Sequence, residues 1–233
     1  MKVIIIGING RMGHALIDEF IKNGDEIVCG IDRNYSSINS IPVYDSFDSI
    51  KDSADIIIDF SHPSLTEKLV DFAVKNNIPV LICTTGHTEF QLKYIEKASE
   101  KIYIELCPNT LYGMEVFKQL CNNADKALGN TFDTEMIEMH HKYKKDKVSG
   151  TALNLEKCFQ NPINIHSLRA GGIIVKHEVI FASDYEVITL SHTALNREAF
   201  AAGAVIKAHK IYAEITSKKK SYKLTLPSHH SQR

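Results

Sequence analysis

Short apolar runs separated by amphipathic stretches organise the first half of the chain. Val3 to Ile6 is a run of β-branched residues, Glu26 to Ile31 is a second apolar run, and Asp55 to Phe60 (DIIIDF) is a third. Pro79 to Cys83 and Ile102 to Leu106 follow. Their interiors are continuously apolar rather than alternating, which predicts parallel strands covered on both faces. Between the first two runs Met12, Leu16 and Phe20 recur every four residues and predict one face of a helix. Leu65, Leu69, Phe72 and Ala73 predict another helix, beginning near Ser64, and Thr88 with Gln91 forms the capping-box pattern of the next. Strand and helix alternate, so residues 1 to about 110 are expected to form a doubly wound α/β domain.

The pattern then changes. Tyr112 to Leu128 predicts a helix. Thr134 to His140, Asn164 to Leu168, Ile173 to Ala182 and Tyr185 to His192 are strand-like, the last two joined tightly through Ser183-Asp184. They predict a mostly antiparallel or mixed sheet. Ala152, Leu155 and Phe159 mark a short helix. Asn196 to about Thr216 marks a long one, with Phe200, Ala204, Ala208, Ile211 and Ile215 near one face. Residues 111–199 are therefore expected to be an α+β domain, and the C-terminal helix and tail, about 200–233, to complete the first.

Composition narrows the class without naming a chemistry. The 233 residues are 44% hydrophobic and 24% charged, as in ordinary soluble globular proteins. A formal net charge of -1 gives no global field that would favour nucleic acid or an acidic membrane surface. The five cysteines are an odd number and form no C-x-x-C pair, so neither a disulfide framework nor a short-spaced metal site is expected, and a reducing cytoplasm is the natural compartment. The first apolar run is too short for a signal-peptide core, no stretch is long enough to span a bilayer, and the last residues are polar and basic.

Gly7, Gly10 and Gly13 lie between the first strand and the first helix. Glycines there let the backbone turn and approach a pyrophosphate, which the helix N-terminus then holds. Asp32 lies 19 residues beyond Gly13, near the spacing of about 20 expected of an acid that accepts hydrogen bonds from a ribose diol. Arg33 follows and suits a 2′-phosphate or stacking on adenine, so NADH and NADPH both stay open. Such sheets bind ligands at the carboxyl ends of their strands. Phe60-Ser61-His62, Cys83-Thr84-Thr85-Gly86 and Pro108-Asn109 fall there, where their backbone groups suit the nicotinamide half.

Residues 138–152 read EMHHKYKKDKVSGTA. Ser149 stands at a helix N-cap and Gly150 follows it, leaving amides at a positive dipole end that can receive a carboxylate. Lys144 adds a second cation, and His140 or His141 can donate or relay a proton near neutral pH. Lys142, Lys145 and Lys147 read as a solvated face. Adjacent histidines on a strand point to opposite faces and make poor joint ligands; with no H-E-x-x-H and no cysteine pair, no metal centre is expected.

Several of these motifs together resemble the bacterial dihydrodipicolinate reductase family. They are GxxGRMG at residues 7–13, IDFSHP, the TTG turn, the PN turn, HHKYKKDKVSGTA, SLRAG with a following KHEVIF, and REAFAAGA. The resemblance runs from residue 3 to about 212, and the double-histidine segment carries most of its specificity. It implies a Rossmann-like dinucleotide-binding domain over 1–110 and a substrate-binding and tetramerisation domain over 111–199, in a homotetramer assembled through the second sheet. It implies His140 as proton donor and Lys144 as its partner in catalysis and substrate charge binding. It further implies that His141, Ser149, Gly150 and Thr151 hold the carboxylates of a small dicarboxylate substrate. Gly7, Ile8, Asn9, Gly10, Arg11, Met12, Asp32, Arg33, Cys83, Thr84, Thr85, Cys107, Pro108, Asn109 and Thr110 match the site for NADH or NADPH.

The chain departs from the family pattern in places. Val148 stands where proline usually precedes Ser-Gly-Thr, Thr110 where Phe often follows Asn, Cys83 where a small residue commonly precedes Thr-Thr-Gly, and Asn196 where Ser usually precedes Arg197. The ending after Tyr212 does not resemble the family. The expected activity is NAD(P)H-dependent reduction of 4-hydroxy-tetrahydrodipicolinate in lysine and diaminopimelate biosynthesis. Two other readings compete: a dinucleotide-sensing protein without chemistry, which has no use for the groups at 140–151, and a different two-domain reductase of an anionic substrate.

Overall fold

Strands that are apolar on both faces must be sandwiched between helices, and the first half of this chain is built that way. The computed structural model describes residues 1–34, 36–145 and 147–217. The strands are β1 (Lys2–Ile6), β2 (Glu26–Ile31), β3 (Val43–Tyr44), β4 (Ile56–Asp59), β5 (Val80–Ile82), β6 (Ile104–Leu106), β7 (Asp133–His140), β8 (Asn164–Arg169), β9 (Val175–Ala182) and β10 (Val187–Ala194). The α-helices are α1 (Arg11–Lys22), α2 (Thr66–Asn76), α3 (Glu89–Ser99), α4 (Tyr112–Leu128), α5 (Gly150–Glu156) and α6 (Glu198–Ser217). The chain divides into two units, Met1–Thr110 with the segment from Ala201, and Leu111–Phe200.

The first unit carries a six-stranded sheet in the order β3-β2-β1-β4-β5-β6, with every pairing parallel. Successive side chains of β1 alternate between its faces. Val3 and Ile5 pack with Leu16, Ile17 and Phe20 of α1 and with Ala204 and Ala208 of α6. Ile4 and Ile6 pack with Leu69 and Ala73 of α2 and Ile95 of α3. Two ion pairs add to the packing of α6: Lys207 Nζ on Glu105 at 3.0 Å and His209 Nε2 on Asp25 at 2.8 Å. The chain runs outward from β1 through β2 to β3, then returns to the other side of β1 with β4. That reversal is the topological switch point at which the carboxyl ends of such sheets open a crevice.

The elements of this unit follow the apolar pattern, with local differences at their ends. The capping box of α3 is present in both halves, Gln91 donating its amide to the Thr88 hydroxyl and Thr88 its amide to the Gln91 side chain. Pro63–Leu65 form a 3-10 turn, capped by the His62 ring, so that α2 itself begins at Thr66 rather than Ser64. The edge strand β3 has two residues, too few to show any period in the sequence.

The second unit has a four-stranded sheet in the order β10-β9-β7-β8, antiparallel except for the β7–β8 pair. A parallel pair needs a crossover, and the segment from His141 through α5 supplies it. Along β9 burial alternates strictly, with Val175, His177, Val179 and Phe181 on the buried face. Those apolar residues pack with Met114, Phe117 and Cys121 of α4 and Leu155 of α5. β9 starts at Val175 instead of Ile173 because residues 170–173 close a turn through Gly171 at φ 46. β10 starts at Val187 because the connection is Ser183–Glu186: the Ser183 hydroxyl accepts the amides of Tyr185 and Glu186, each at 3.2 Å. Helix α5 ends at Glu156, yet Phe159 still reaches the core. The tail beyond residue 217 lies outside the described residues.

A polar row crosses the buried face of this sheet. Ser167 of β8 pairs with Glu138 of β7, Glu138 with His177 of β9, and His177 with His192 of β10. His177 is fully buried, and neither ring nitrogen has a hydrogen-bond partner among the described residues. Burial, reinforced by His140 and His192 against the pull of Glu138, pushes it from 6.5 down to about 4.

Two outcomes are expected. Phe20→Ala, which empties a fully buried site between sheet and helix, should cost about 3–5 kcal/mol in urea denaturation. The buried His177 ring is neutral while its unfolded counterpart takes up a proton at 6.5. Stability should therefore fall as pH drops from 6.5 towards about 4 and stop responding to this group below that window. His177→Gln should flatten that part of the pH–stability curve; identical curves for the two proteins would show that the ring is not held neutral.

Candidate functional site

The turn between β1 and α1 is shaped by three glycines, and two of them cannot carry a side chain without displacing backbone. Gly7 has φ 82, and a Cβ there would stand 2.8 Å from the Phe60 carbonyl oxygen. At Gly13 a Cβ would stand 2.1 Å from the Ile8 carbonyl oxygen, so α1 lies directly on the turn that precedes it. Gly10 is the N-cap of α1 and offers no side-chain cap to the first-turn amides. Amides without a side-chain partner at the positive end of a helix are suited to phosphate. Ile8 is fully buried in the core, which leaves only its backbone for contact with a ligand.

Asp32, just beyond β2, ties this turn in place. Its Oδ2 accepts the Asn9 amide at 3.1 Å and its Oδ1 accepts the Asn34 amide at 3.2 Å. The Asn9 side chain donates to the Asn34 carbonyl. Each carboxylate oxygen keeps a further lone pair for a diol. Gly7, Asn9, Gly10, Asp32 and exposed Arg33 line one cavity of about 590 Å³, together with residues of the Phe60-Ser61-His62 segment. Arg11 and Met12 sit on the first turn of α1 and are not in its lining.

Nor are the residues at the carboxyl ends of β5 and β6. There Asp59, only 1% exposed, accepts the Ser61 amide at 3.0 Å and hydroxyl at 2.5 Å. Thr84 bonds the same carboxyl and also accepts the Ser61 amide at 3.0 Å. Burial pushes the Asp59 carboxyl up, against these hydrogen bonds. Cys83 and Cys107 are buried side by side on adjacent strand ends; burial chiefly, then the neighbouring Cys107, raises the Cys83 thiol well above its ordinary range. Cys107 Sγ donates to the Asn109 carbonyl at 3.1 Å. Thr85 and Pro108 are exposed, Asn109 is half-buried, and Thr110 is buried.

In the second unit His140 closes β7, buried but for 9% of its surface. Its Nδ1 bonds the carboxylate of Glu138, two positions back on the same strand face. Glu138 is fully buried. Its Oε1 accepts Arg169 NH2 at 2.5 Å, and the Ser167 hydroxyl also bonds it. Burial alone would raise Glu138, but Arg169, Ser167 and His140 together hold it below the usual carboxylate range. For His140, burial pushes the ring down; Glu138 opposes this, while Lys144 and Arg169 push the same way as burial. Nδ1 is committed to Glu138, so Nε2 is the nitrogen left for chemistry. His177 stands edge-on to this ring with centroids 5.9 Å apart.

The lysine-rich segment is braced from β8 and the turn after it. Arg169 NH2 also donates to the Lys147 carbonyl at 3.0 Å. The Ala170 amide donates to the His140 carbonyl at 3.0 Å, and the Lys142 amide to the Gly171 carbonyl at 3.2 Å. His141 lies past the end of β7 and is half-buried, its ring 6.4 Å from that of Tyr143. Ser149 caps α5 by accepting the Ala152 amide at 3.1 Å and is only 2% exposed. Its hydroxyl is thus an internal support, and the first turn behind it is formed by Gly150 and Thr151.

Three members of this cluster do not stand out in the sequence. Glu138 is legible in principle, because two residues apart on a strand means the same face. Arg169 lies within SLRAG, a motif without an evident chemistry of its own, and His177 arrives by strand pairing that no local spacing reveals. Among the described residues no group of three or more His, Cys, Asp or Glu side chains is arranged to hold a metal ion.

Comparison with known proteins agrees across both units. The family model for the N-terminus of dihydrodipicolinate reductase matches residues 1–110, and that for its C-terminus matches residues 113–226. A 4-hydroxy-tetrahydrodipicolinate reductase from Caldanaerobacter subterraneus is 39% identical over 90% of this chain and 92% of its own. One from Clostridium tetani is 35% identical over 88% and 89%. Among solved structures, a dipicolinate-bound dihydrodipicolinate reductase from Paenisporosarcina sp. TG-14 superposes with TM-score 0.78 at 23% identity, over 97% of each chain. A myo-inositol dehydrogenase from Corynebacterium glutamicum does so with TM-score 0.64 at 14% identity, over 92% and 89%. At those identities the two structures speak to the fold alone. The family models and the sequence relatives go further: this chain belongs to the dihydrodipicolinate reductase family.

Proposed function

We propose that the chain is an NAD(P)H-dependent oxidoreductase that reduces 4-hydroxy-tetrahydrodipicolinate to tetrahydrodipicolinate in lysine and diaminopimelate biosynthesis. The observation that carries this reading is the family match over both units, joined to a buried His140 beside Glu138, Arg169 and Lys144. The relatives bear that activity in their names.

A reduced nicotinamide, when bound, supplies the hydride. The turn at Gly7 to Gly13 and the helix start behind it are shaped for the pyrophosphate, and Asp32 with Arg33 for the adenosine ribose. Asp32 suits a ribose diol and Arg33 a 2′-phosphate, so the reading takes in both NADH and NADPH. The substrate is a cyclic, unsaturated dicarboxylate; its 4-hydroxyl leaves as water to give the conjugated dihydrodipicolinate ring, and that ring accepts the hydride. Its charge is met by Lys144 and by the amides of Gly150 and Thr151, with His141 alongside. After hydride addition the ring carries a carbanion or enamine carbon. His140 releases a proton from Nε2 to that carbon, and the Nε2–H electron pair stays on the imidazole. Orienting donor and acceptor supplies much of the rate gain.

The same reading places the enzyme in a reducing cytoplasm, which suits five free cysteines, four of them buried. No helix among the described residues is long and apolar enough to cross a membrane. It also includes a homotetramer built on the second sheet. The face of that sheet opposite Glu138 and His177 carries exposed Leu168 and Val187 on its two edge strands, among polar residues such as Glu135, His166, Lys176 and Glu178, a mixed surface compatible with self-association. Light scattering should report four chains; a monomer at working concentration would remove that part.

His140→Gln should lower kcat by about 10²–10⁴-fold while leaving reduced-nicotinamide affinity, read by fluorescence titration, near wild type. The assay follows loss of reduced-nicotinamide absorbance on adding freshly generated substrate, with each cofactor in turn. Unchanged turnover in the variant would remove His140 from the chemistry, and no substrate-dependent oxidation by the wild type would refute the activity.

A further inference from the structure

Glu138 takes no direct part in the proposed reaction, yet it is the most completely enclosed charged group beside the proton donor. Its two oxygens face in different directions: Oε2 meets His140 Nδ1, and Oε1 meets Arg169, with the Ser167 hydroxyl as a third partner. We infer that Glu138, braced by Arg169 and Ser167, is a positioning residue that keeps a proton on His140 Nδ1 in both ionisation states, so that only Nε2 exchanges a proton with substrate. The inference rests on the role proposed for His140.

Donor and acceptor capacity decides which nitrogen carries hydrogen. An ionised carboxylate only accepts hydrogen bonds. Glu138 is held in that form by a guanidinium, a hydroxyl and the imidazole itself, which outweigh its burial. The nitrogen facing it must therefore carry hydrogen. The neutral ring left after proton release is the Nδ1–H tautomer, and its bare Nε2 is poised to be reprotonated by solvent before the next turnover.

The charges around the ring show why the carboxylate is needed. Lys144, from the loop after β7, and Arg169, at the end of β8, both disfavour an imidazolium. His177 approaches edge-on from β9, with His192 of β10 beyond it, and neither offers a negative charge. Of the groups facing His140 among the described residues, Glu138 is the anion. Without it, burial and two cations would push His140 further below its ordinary value than it already lies.

Arg169 extends the device to the loop. It spans from Glu138 to the Lys147 carbonyl, so one guanidinium supports both the anchor of the proton donor and the segment that carries Lys144. The SLRAG motif thereby acquires a purpose, since Ser167 and Arg169 are its two polar side chains and both reach Glu138.

Both measurements use the full chain. Nitrogen-15 spectra of the histidine rings, with His140→Gln to assign the signal, should show neutral His140 protonated at Nδ1 and bare at Nε2. The opposite tautomer overturns the proposal without any substitution at Glu138. In activity assays Glu138→Gln should lower kcat on the order of 10- to 100-fold, with the KM for reduced nicotinamide unchanged. As pH rises, its kcat should fall away at lower pH than that of the wild type, because the protonated donor has lost its counter-charge. A Glu138→Gln protein that merely melts earlier, with wild-type kcat and pH profile, overturns the positioning role. If instead His140→Gln itself retains full turnover, the failure lies in the role of His140 and not in the placement of Glu138.

Discussion

A carboxylate shut away from solvent has to be matched at its oxygens by donors, because an uncompensated buried charge is far too costly to persist. Glu138 is that carboxylate in the second unit, and much of the local architecture follows from satisfying it. Ser167 is brought opposite by the parallel β7–β8 pairing, and Arg169 closes β8 from the same strand face. His140 completes the set from two residues along β7. A one-residue slip of β8 would turn Ser167 and Arg169 to the far side of the sheet and leave the carboxylate unmatched. The buried ion pair thus acts as a register mark as well as an electrostatic one.

The first unit is governed by a different constraint, the closeness of backbone to backbone. Gly13 lets α1 sit on the carbonyls of Gly7 and Ile8, and Gly7 lets the turn pass beside Phe60. Those approaches leave the start of α1 open at Gly10, where any larger residue with a capping hydroxyl would occupy the amides a phosphate needs. Asp32 serves two ends in consequence. It holds the Asn9 and Asn34 amides and still presents lone pairs to the cavity.

Burial and charge act in opposite directions on the groups of the second unit, and the balance differs from residue to residue. For Glu138, donors overcome burial and keep the group ionised. For His177 nothing opposes burial strongly enough, so the ring stays neutral and inert. His140 lies between these cases, with burial and two cations on one side and Glu138 on the other. Burial prevails in that balance too, and the His140 ring lies below its ordinary value.

Local pattern was enough for much of this. Continuous apolar runs announced the strands of the first sheet, four-residue spacing announced α1, and Thr88 with Gln91 announced the start of α3, because each signal is carried by residues within one or two turns of each other. The glycine turn, Asp32 and the double-histidine segment were likewise readable, being contiguous or at a fixed distance along the chain. What the sequence could not show depends on pairing between distant segments. The two-residue β3 has no period of its own, and the start of β10 shifted because a serine hydroxyl closes the preceding turn. Ile8, Ser149 and Cys83 proved to be packed or internally bonded. Ser167, Arg169 and His177 meet Glu138 and His140 only after three strands take their places. Motifs carried by neighbouring residues were legible in the sequence alone; the electrostatic setting of those residues was decided by the sheet, because charges act through space and not along the chain.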